Sequence, residues 1–122
     1  RALFLEMFGT SILVLVVFFT AIERTINIAP LIIGISVFVC HLILVPTTGS
    51  SINIARSLGP QILASKQGWP TYFWIYIVGP ILGSLLATVV YKILKFLNYE
   101  TCTAADNVDF IDSQERLIDE AN

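Results

Sequence analysis

"TGSSINIARSLGP", Thr48 to Pro60, is a polar stretch between two strongly apolar runs. It carries an asparagine, an arginine, three serines and two glycines. Asn53 is a strong helix N-cap, because its side-chain oxygen accepts from a free N–H of the first turn. The residues after it, "IARSLGPQILAS", predict a helix from Ile54 to about Ser65. At about 1.5 Å per residue that helix is roughly 18 Å long, about half of an apolar bilayer core of about 30 Å. It is too short to span and too apolar for an ordinary exposed loop. The preceding "VPTTGSSI" has the Pro, Gly, Ser and Thr content of irregular backbone. Together these describe a re-entrant segment: the chain dips into the membrane without regular structure and returns as a half-helix. An extramembrane loop with a short amphipathic helix is the alternative that the same residues allow.

The rest of the chain supplies the membrane. Of 122 residues, 56% are hydrophobic and 13% charged, and the mean hydropathy is +0.80. A soluble domain carries about 45–50% apolar and about 25% charged residues. Three runs are long enough to cross a bilayer: residues 2–22, 28–45 and 72–94. They must be helices, because lipid cannot satisfy the free N–H and C=O groups of strands, and three strands close no barrel. The fold class expected is therefore an all-α membrane protein of three transmembrane helices and one re-entrant half-helix at 54–65. The chain opens on Arg1 with no initiator methionine, which reads as a fragment or a processed product. Its first run is too long for a signal peptide and ends in no small-residue cleavage site.

The link Glu23–Asn27 is short, so the first two spans pair antiparallel, and Pro30 suits the first turn of the second span. Trp69, Tyr72 and Trp74 form an interfacial aromatic cluster, and Lys92 and Lys95 favour a cytoplasmic C-terminus. Gly79, Gly83 and Ala87 recur one turn apart, a pattern that lets helices approach closely, while Pro80 should kink or loosen the third span. Residues 99–122 read as a flexible cytoplasmic tail: from Glu100 onward there are seven acidic residues and one basic residue. A short helix capped by Asp112, with Glu115 three residues on, is the alternative there. The net charge of −2 and the lack of a basic patch exclude a nucleic-acid partner. Cys40 and Cys102 suit neither a disulfide nor a zinc site. No nucleophile–base pair or metal cluster is visible, so neither an enzyme nor a cofactor is expected.

The candidate site gathers around the polar stretch. A half-helix N-terminus inside the membrane presents free N–H groups and about half a positive charge. Arg56 adds a full charge near the same end, tolerable only beside a polar cavity. Such a wall repels cations and passes neutral polar solutes. His41, the single histidine, is either a functional intramembrane group or a satisfied packing residue. Glu6 lies either near an interface or buried; if buried it needs donors, and the backbone N–H groups of the re-entrant segment are available.

Three ordered segments carry a resemblance: "LEMFGT" (Leu5–Thr10), "CHLILVPTTGSSINIARSLGP" (Cys40–Pro60) and "VGPILG" (Val78–Gly83). The chain resembles the C-terminal half of an aquaporin, of the major intrinsic protein family, over Arg1 to about Tyr99. Its ending "YKILKFLNYET" is similar to fungal water channels. The resemblance implies one of two inverted repeats. It implies a pore motif at Asn53, Ile54 and Ala55, a selectivity filter of His41, Ser50 and Arg56, and loop bracing by Glu6. It also implies water, and in some relatives glycerol, as the solute, the lipid bilayer as the setting, and a homotetramer once the missing N-terminal half is present. The membrane is the plasma membrane or an internal one.

Two departures stand out. Ile54 replaces the proline of the family's Asn-Pro-Ala signature, and the partner repeat is not in this chain, so alone it should enclose no pore. By the same resemblance His41, Ser57 after the arginine and the aromatic Tyr76 before the Gly-Pro favour water over glycerol, whereas Ile77 departs from the usual tryptophan. Ser50 stands where some relatives carry a mercury-sensitive cysteine, so no mercurial block is expected. The alternatives are a facilitator of glycerol or another small neutral solute, and a non-conducting truncated membrane protein.

Overall fold

A computed structural model of the chain describes residues 1–23, 27–64 and 68–97. The acidic tail, Cys102, Arg24 and Ser65 lie outside the described residues. Among the described residues four α-helices run in order: α1 (Ala2–Val17), extended by a π-helical turn at Phe18–Glu23, then α2 (Ala29–Thr48), α3 (Ile54–Leu63) and α4 (Ile75–Phe96). No strand occurs among the described residues. Ala2–Glu23, α2 and α4 are long and apolar enough to cross a membrane, and α3, at ten residues, is not. Arg1–Val89 form one compact unit that contains α1, α2, α3 and the larger part of α4, and a second unit begins at Val90. In the described part of the second, the Lys95 ammonium lies 5.8 Å from the centre of the Tyr91 ring.

The element boundaries differ from the sequence expectation in ways that have causes. Helix α2 runs to Thr48 rather than to Val45 and passes straight through Pro46. A proline inside a helix removes one N–H. The helix continues past it, and the Thr47 hydroxyl donates back to the Ile43 and Leu44 carbonyls at 3.2 and 3.1 Å. The helix stops at Gly49, whose φ of 84° is left-handed and cheap only for glycine. Its N–H donates to the Leu44 and Val45 carbonyls, each at 3.2 Å. Helix α3 ends at Leu63, two residues early, with Ala64 as its C-cap. Helix α4 begins at Ile75 rather than Tyr72, because residues 70–74 form tight turns closed by Phe73 N–H to the Pro70 carbonyl and Ile75 N–H to the Tyr72 carbonyl, both 3.0 Å.

Burial is inverted relative to a water-soluble domain. Glu6, Thr10, Ser11, Thr20, Ser50 and Ser51 are buried, while Phe4, Phe8, Leu31, Phe38 and Leu42 are exposed. Lipid tails are as apolar as leucine, so helix association here relies on close packing rather than water exclusion. The apolar core is correspondingly small: Cys40, Leu44 and Ile52, flanked by Leu5, Leu13 and Val37.

Glycines set the helix contacts. A Cβ on Gly9 would lie 2.5 Å from the Leu44 Cδ1, so α1 and α2 meet there. A Cβ on Gly79 would come within 2.8 Å of the Glu6 Cβ, and one on Gly83 within 2.8 Å of the Thr10 Cβ and against the Met7 carbonyl. These two glycines bring α4 directly onto the backbone of α1.

Candidate functional site

The site is the turn Gly49–Asn53 and the first residues of α3. Asn53 is extended (φ −151°, ψ 118°), and its Oδ1 accepts from the Ala55 N–H at 2.9 Å and the Arg56 N–H at 3.4 Å. Asparagine is effective here because its short side chain curls back on its own first turn. With the oxygen engaged, the amide NH2 remains as the donor end of the side chain. Asn53, Ala55 and Arg56 are exposed and Ile54 is half-buried.

The turn before Asn53 is strained. Ser50 and Ile52 have φ of 55° and 44°. For a β-branched residue such as Ile52 this is a genuine outlier. Alternation of this kind points successive N–H groups into one concavity, a nest for an anion. The Glu6 carboxylate fills it. Glu6 is fully buried. Its Oε1 accepts from the Ser51 N–H at 2.9 Å and the Thr48 hydroxyl at 2.6 Å, and its Oε2 from the Ser51 and Ile52 N–H groups at 3.0 and 2.9 Å. Charge-assisted bonds of this type are about twice as strong as neutral ones, which is what a strained turn needs to persist.

Two further contacts hold the turn. The Tyr76 hydroxyl donates to the Thr48 carbonyl. The Ser51 hydroxyl donates to the Asn53 carbonyl at 3.1 Å and lies 3.4 Å from the Tyr76 carbonyl. That second acceptor has a simple origin: residue 80 is proline, so the helical N–H that would meet the Tyr76 carbonyl does not exist. Ser57 donates to the Ser51 hydroxyl at 2.7 Å, joining turn to half-helix. The Arg56 guanidinium donates to the Ser50 carbonyl, leaving most of its five N–H donors for other partners.

These residues wall two cavities. One of about 400 Å³ is lined by Ser50, Arg56 and Tyr76 among others. One of about 600 Å³ is lined by Asn53, Ile54, Ala55, Ser84 and Thr88, with apolar neighbours. The predicted filter is therefore split: Ser50 and Arg56 share the first cavity, whereas His41 lines a separate one with Phe38, Leu42, Val45 and Pro46. The His41 Nδ1–H donates to the Val37 carbonyl at 2.8 Å, so in the neutral ring Nε2 is the acceptor. Among the described residues no cluster of three or more His, Cys, Asp or Glu could hold a metal.

The hydrogen bonds that Thr48, Ser51, Ser57 and Tyr76 make around the turn were not legible in the sequence. Serines and threonines in a polar loop carry no signal of which carbonyl they will meet. The one available hint was Pro80, which guarantees an unclaimed carbonyl at Tyr76.

The family model described as major intrinsic protein matches residues 1–91. The chain is 48% identical over 114 residues to Aquaporin-1 of Gibberella zeae, covering 92% of this chain and 35% of that protein. It is 47% identical over 108 residues to Aquaporin-2 of Saccharomyces cerevisiae, covering 87% and 37%. It is 48% identical over 101 residues to Aquaporin-1 of Rhizophagus irregularis, covering 82% and 36%. The chain thus spans about a third of the length of these three curated relatives. No solved structure matches it.

Proposed function

The chain belongs to the major intrinsic protein family, and from that premise we propose that it forms one repeat of a passive water channel, with Asn53, Ile54, Ala55 and Arg56 on the pore wall. The observation that carries this reading is the Asn53-capped half-helix, held by a buried carboxylate in a strained turn. An exposed surface loop has no need of either device. Members of this family are channels, so the reading is transport without turnover chemistry.

Water passes as a neutral solute that both donates and accepts. The Asn53 amide offers a donor at the half-helix end, and the N-terminal dipole and Arg56 oppose cations. Ser50 and Arg56 narrow one end of the path, and His41 completes that constriction in the assembled pore. The second repeat supplies the facing wall, and four copies form the assembled channel. The end of α4, with Lys92 and Lys95, faces the cytoplasm.

The test is stopped-flow osmotic shrinkage and glycerol uptake. The vesicles hold this chain together with the first half of the Gibberella zeae relative. Water permeability well above bare lipid with slow glycerol entry supports the reading. Fast glycerol entry assigns a glycerol facilitator instead.

Ile54→Pro is expected to preserve the fold and to raise stability by about 0.4–1 kcal/mol through the unfolded chain. The ψ of 118° at Asn53 already suits a following proline, and the N–H lost at the first helical position is an orphan. Thermal melting in detergent measures this. The same variant should raise or leave water permeability, and a sharp fall in either quantity counts against the assigned geometry.

A further inference from the structure

Ile54 is the first residue of α3, and it stands where the Asn-Pro-Ala signature has proline. The Asn53 side chain claims the Ala55 and Arg56 N–H groups and leaves that of Ile54 at the open end of the helix. The Ile54 side chain is half-buried, between Asn53 and Ala55, which are both exposed. It walls the cavity of about 600 Å³ together with Thr10 of α1 and Ser84 and Thr88 of α4. Its surroundings do not yield. Ile52, two residues before it, is buried in the apolar core, and α4 is seated on the backbone of α1 at Gly79 and Gly83. A β-branched side chain in a helix is itself held to one main rotamer. Ile54 therefore presents a bulky, stiff surface beside a free backbone donor.

Inverted repeats are related by a pseudo-two-fold axis in the membrane plane, and a residue beside a two-fold axis meets its own counterpart. On the one-repeat reading above, on which this inference rests, the start of α3 is the part of the chain that reaches the midplane. Ile54 then faces the first residue of the matching half-helix. The curated relatives have the length to supply that half-helix, since this chain covers 35% and 37% of two of them. From this placement we infer that the repeat that pairs with this chain carries a small residue, alanine or serine, opposite Ile54. Packed sites tolerate exchange best when total volume is conserved, so the larger residue on one side calls for a smaller one on the other. A proline opposite would press a rigid ring onto a side chain that cannot swing aside. It would also cover the Ile54 N–H, and a buried backbone donor without an acceptor is costly. A small residue leaves that N–H within reach of water.

The probe is the first half of the Gibberella zeae relative, with the first residue of its half-helix set to proline in one form and to alanine in the other. Each form is titrated in detergent against this chain and against its I54P variant, and association is read by fluorescence energy transfer between the labelled halves. A misfit at one packed contact changes affinity by about tenfold. The ratio of the dissociation constant of this chain to that of I54P should therefore fall by about that factor from the proline form to the alanine form. Any effect of I54P on α3 itself is common to both forms and cancels in the comparison. A ratio that stays constant, or rises, overturns the inference while leaving the one-repeat reading in place. If neither form associates with either chain, the one-repeat reading fails and the inference falls with it.

Discussion

Replacing Glu6 with alanine is expected to destabilise the chain by about 3–5 kcal/mol, because it strands three buried donors at once. The carboxylate takes the N–H groups of Ser51 and Ile52 and the Thr48 hydroxyl. Each buried donor left unsatisfied costs about 1–3 kcal/mol. The left-handed conformations of Ser50 and Ile52 add strain of about 1–3 kcal/mol each, which those bonds now offset. Relaxation of the turn recovers part of the sum, and it also takes the Ser50 carbonyl away from Arg56. Glu6→Gln should fall between. It keeps one acceptor oxygen but turns an NH2 group toward backbone donors. Thermal melting of the detergent-solubilised chain reads both variants. A change within about 1 kcal/mol for Glu6→Ala contradicts the network as described.

Gly83→Ala has the second largest expected effect, about 2–3 kcal/mol. The new methyl would meet the Met7 carbonyl, the Met7 carbonyl carbon at 3.2 Å and the Thr10 Cβ at 2.8 Å. Backbone cannot swing aside as a flexible side chain can, so α4 must lift from α1. Gly79→Ala acts alike through the Glu6 Cβ at 2.8 Å, and it also disturbs the carboxylate. The gain in helix propensity, about 1 kcal/mol, does not offset such a clash. Gly59→Ala separates the two effects: it sits inside α3 with nothing within 4 Å of the added carbon. It should be neutral or mildly stabilising. Equal melting temperatures for Gly83→Ala and Gly59→Ala would remove the close approach of α1 and α4 from the account.

The spans were legible because a bilayer leaves few choices. Twenty apolar residues must be a helix, and ten after an asparagine cannot cross. The family was legible from the spacing of Cys40 to Pro60, and the comparisons agree with it. What sequence could not give was the end of α2. A proline followed by two threonines reads as a helix stop, but here the helix runs through Pro46 to Thr48, with the Thr47 hydroxyl turned back onto the Leu44 carbonyl and the Thr48 hydroxyl onto Glu6. Glu6 was legible as a residue needing donors, although its burial was open until α1 and the turn were seen packed together. His41 shows the reverse limit. Its identity suggested a partner of Ser50 and Arg56, yet within this repeat it lines another cavity. The sequence of one repeat does not contain the surface against which the filter closes.

In the proposed channel α3 begins inside the membrane. That placement is tested most directly by the depth of a spin label at Ala55→Cys, with Cys40 and Cys102 replaced by alanine, in vesicles containing the first half of the Gibberella zeae relative. Ala55 is exposed at the start of α3, so the label displaces nothing packed within this chain. The expected depth is near the bilayer midplane, about 15 Å from either edge of the apolar core. A label at headgroup depth, level with one placed at Trp69, would contradict it and return "TGSSINIARSLGP" to the class of surface loops.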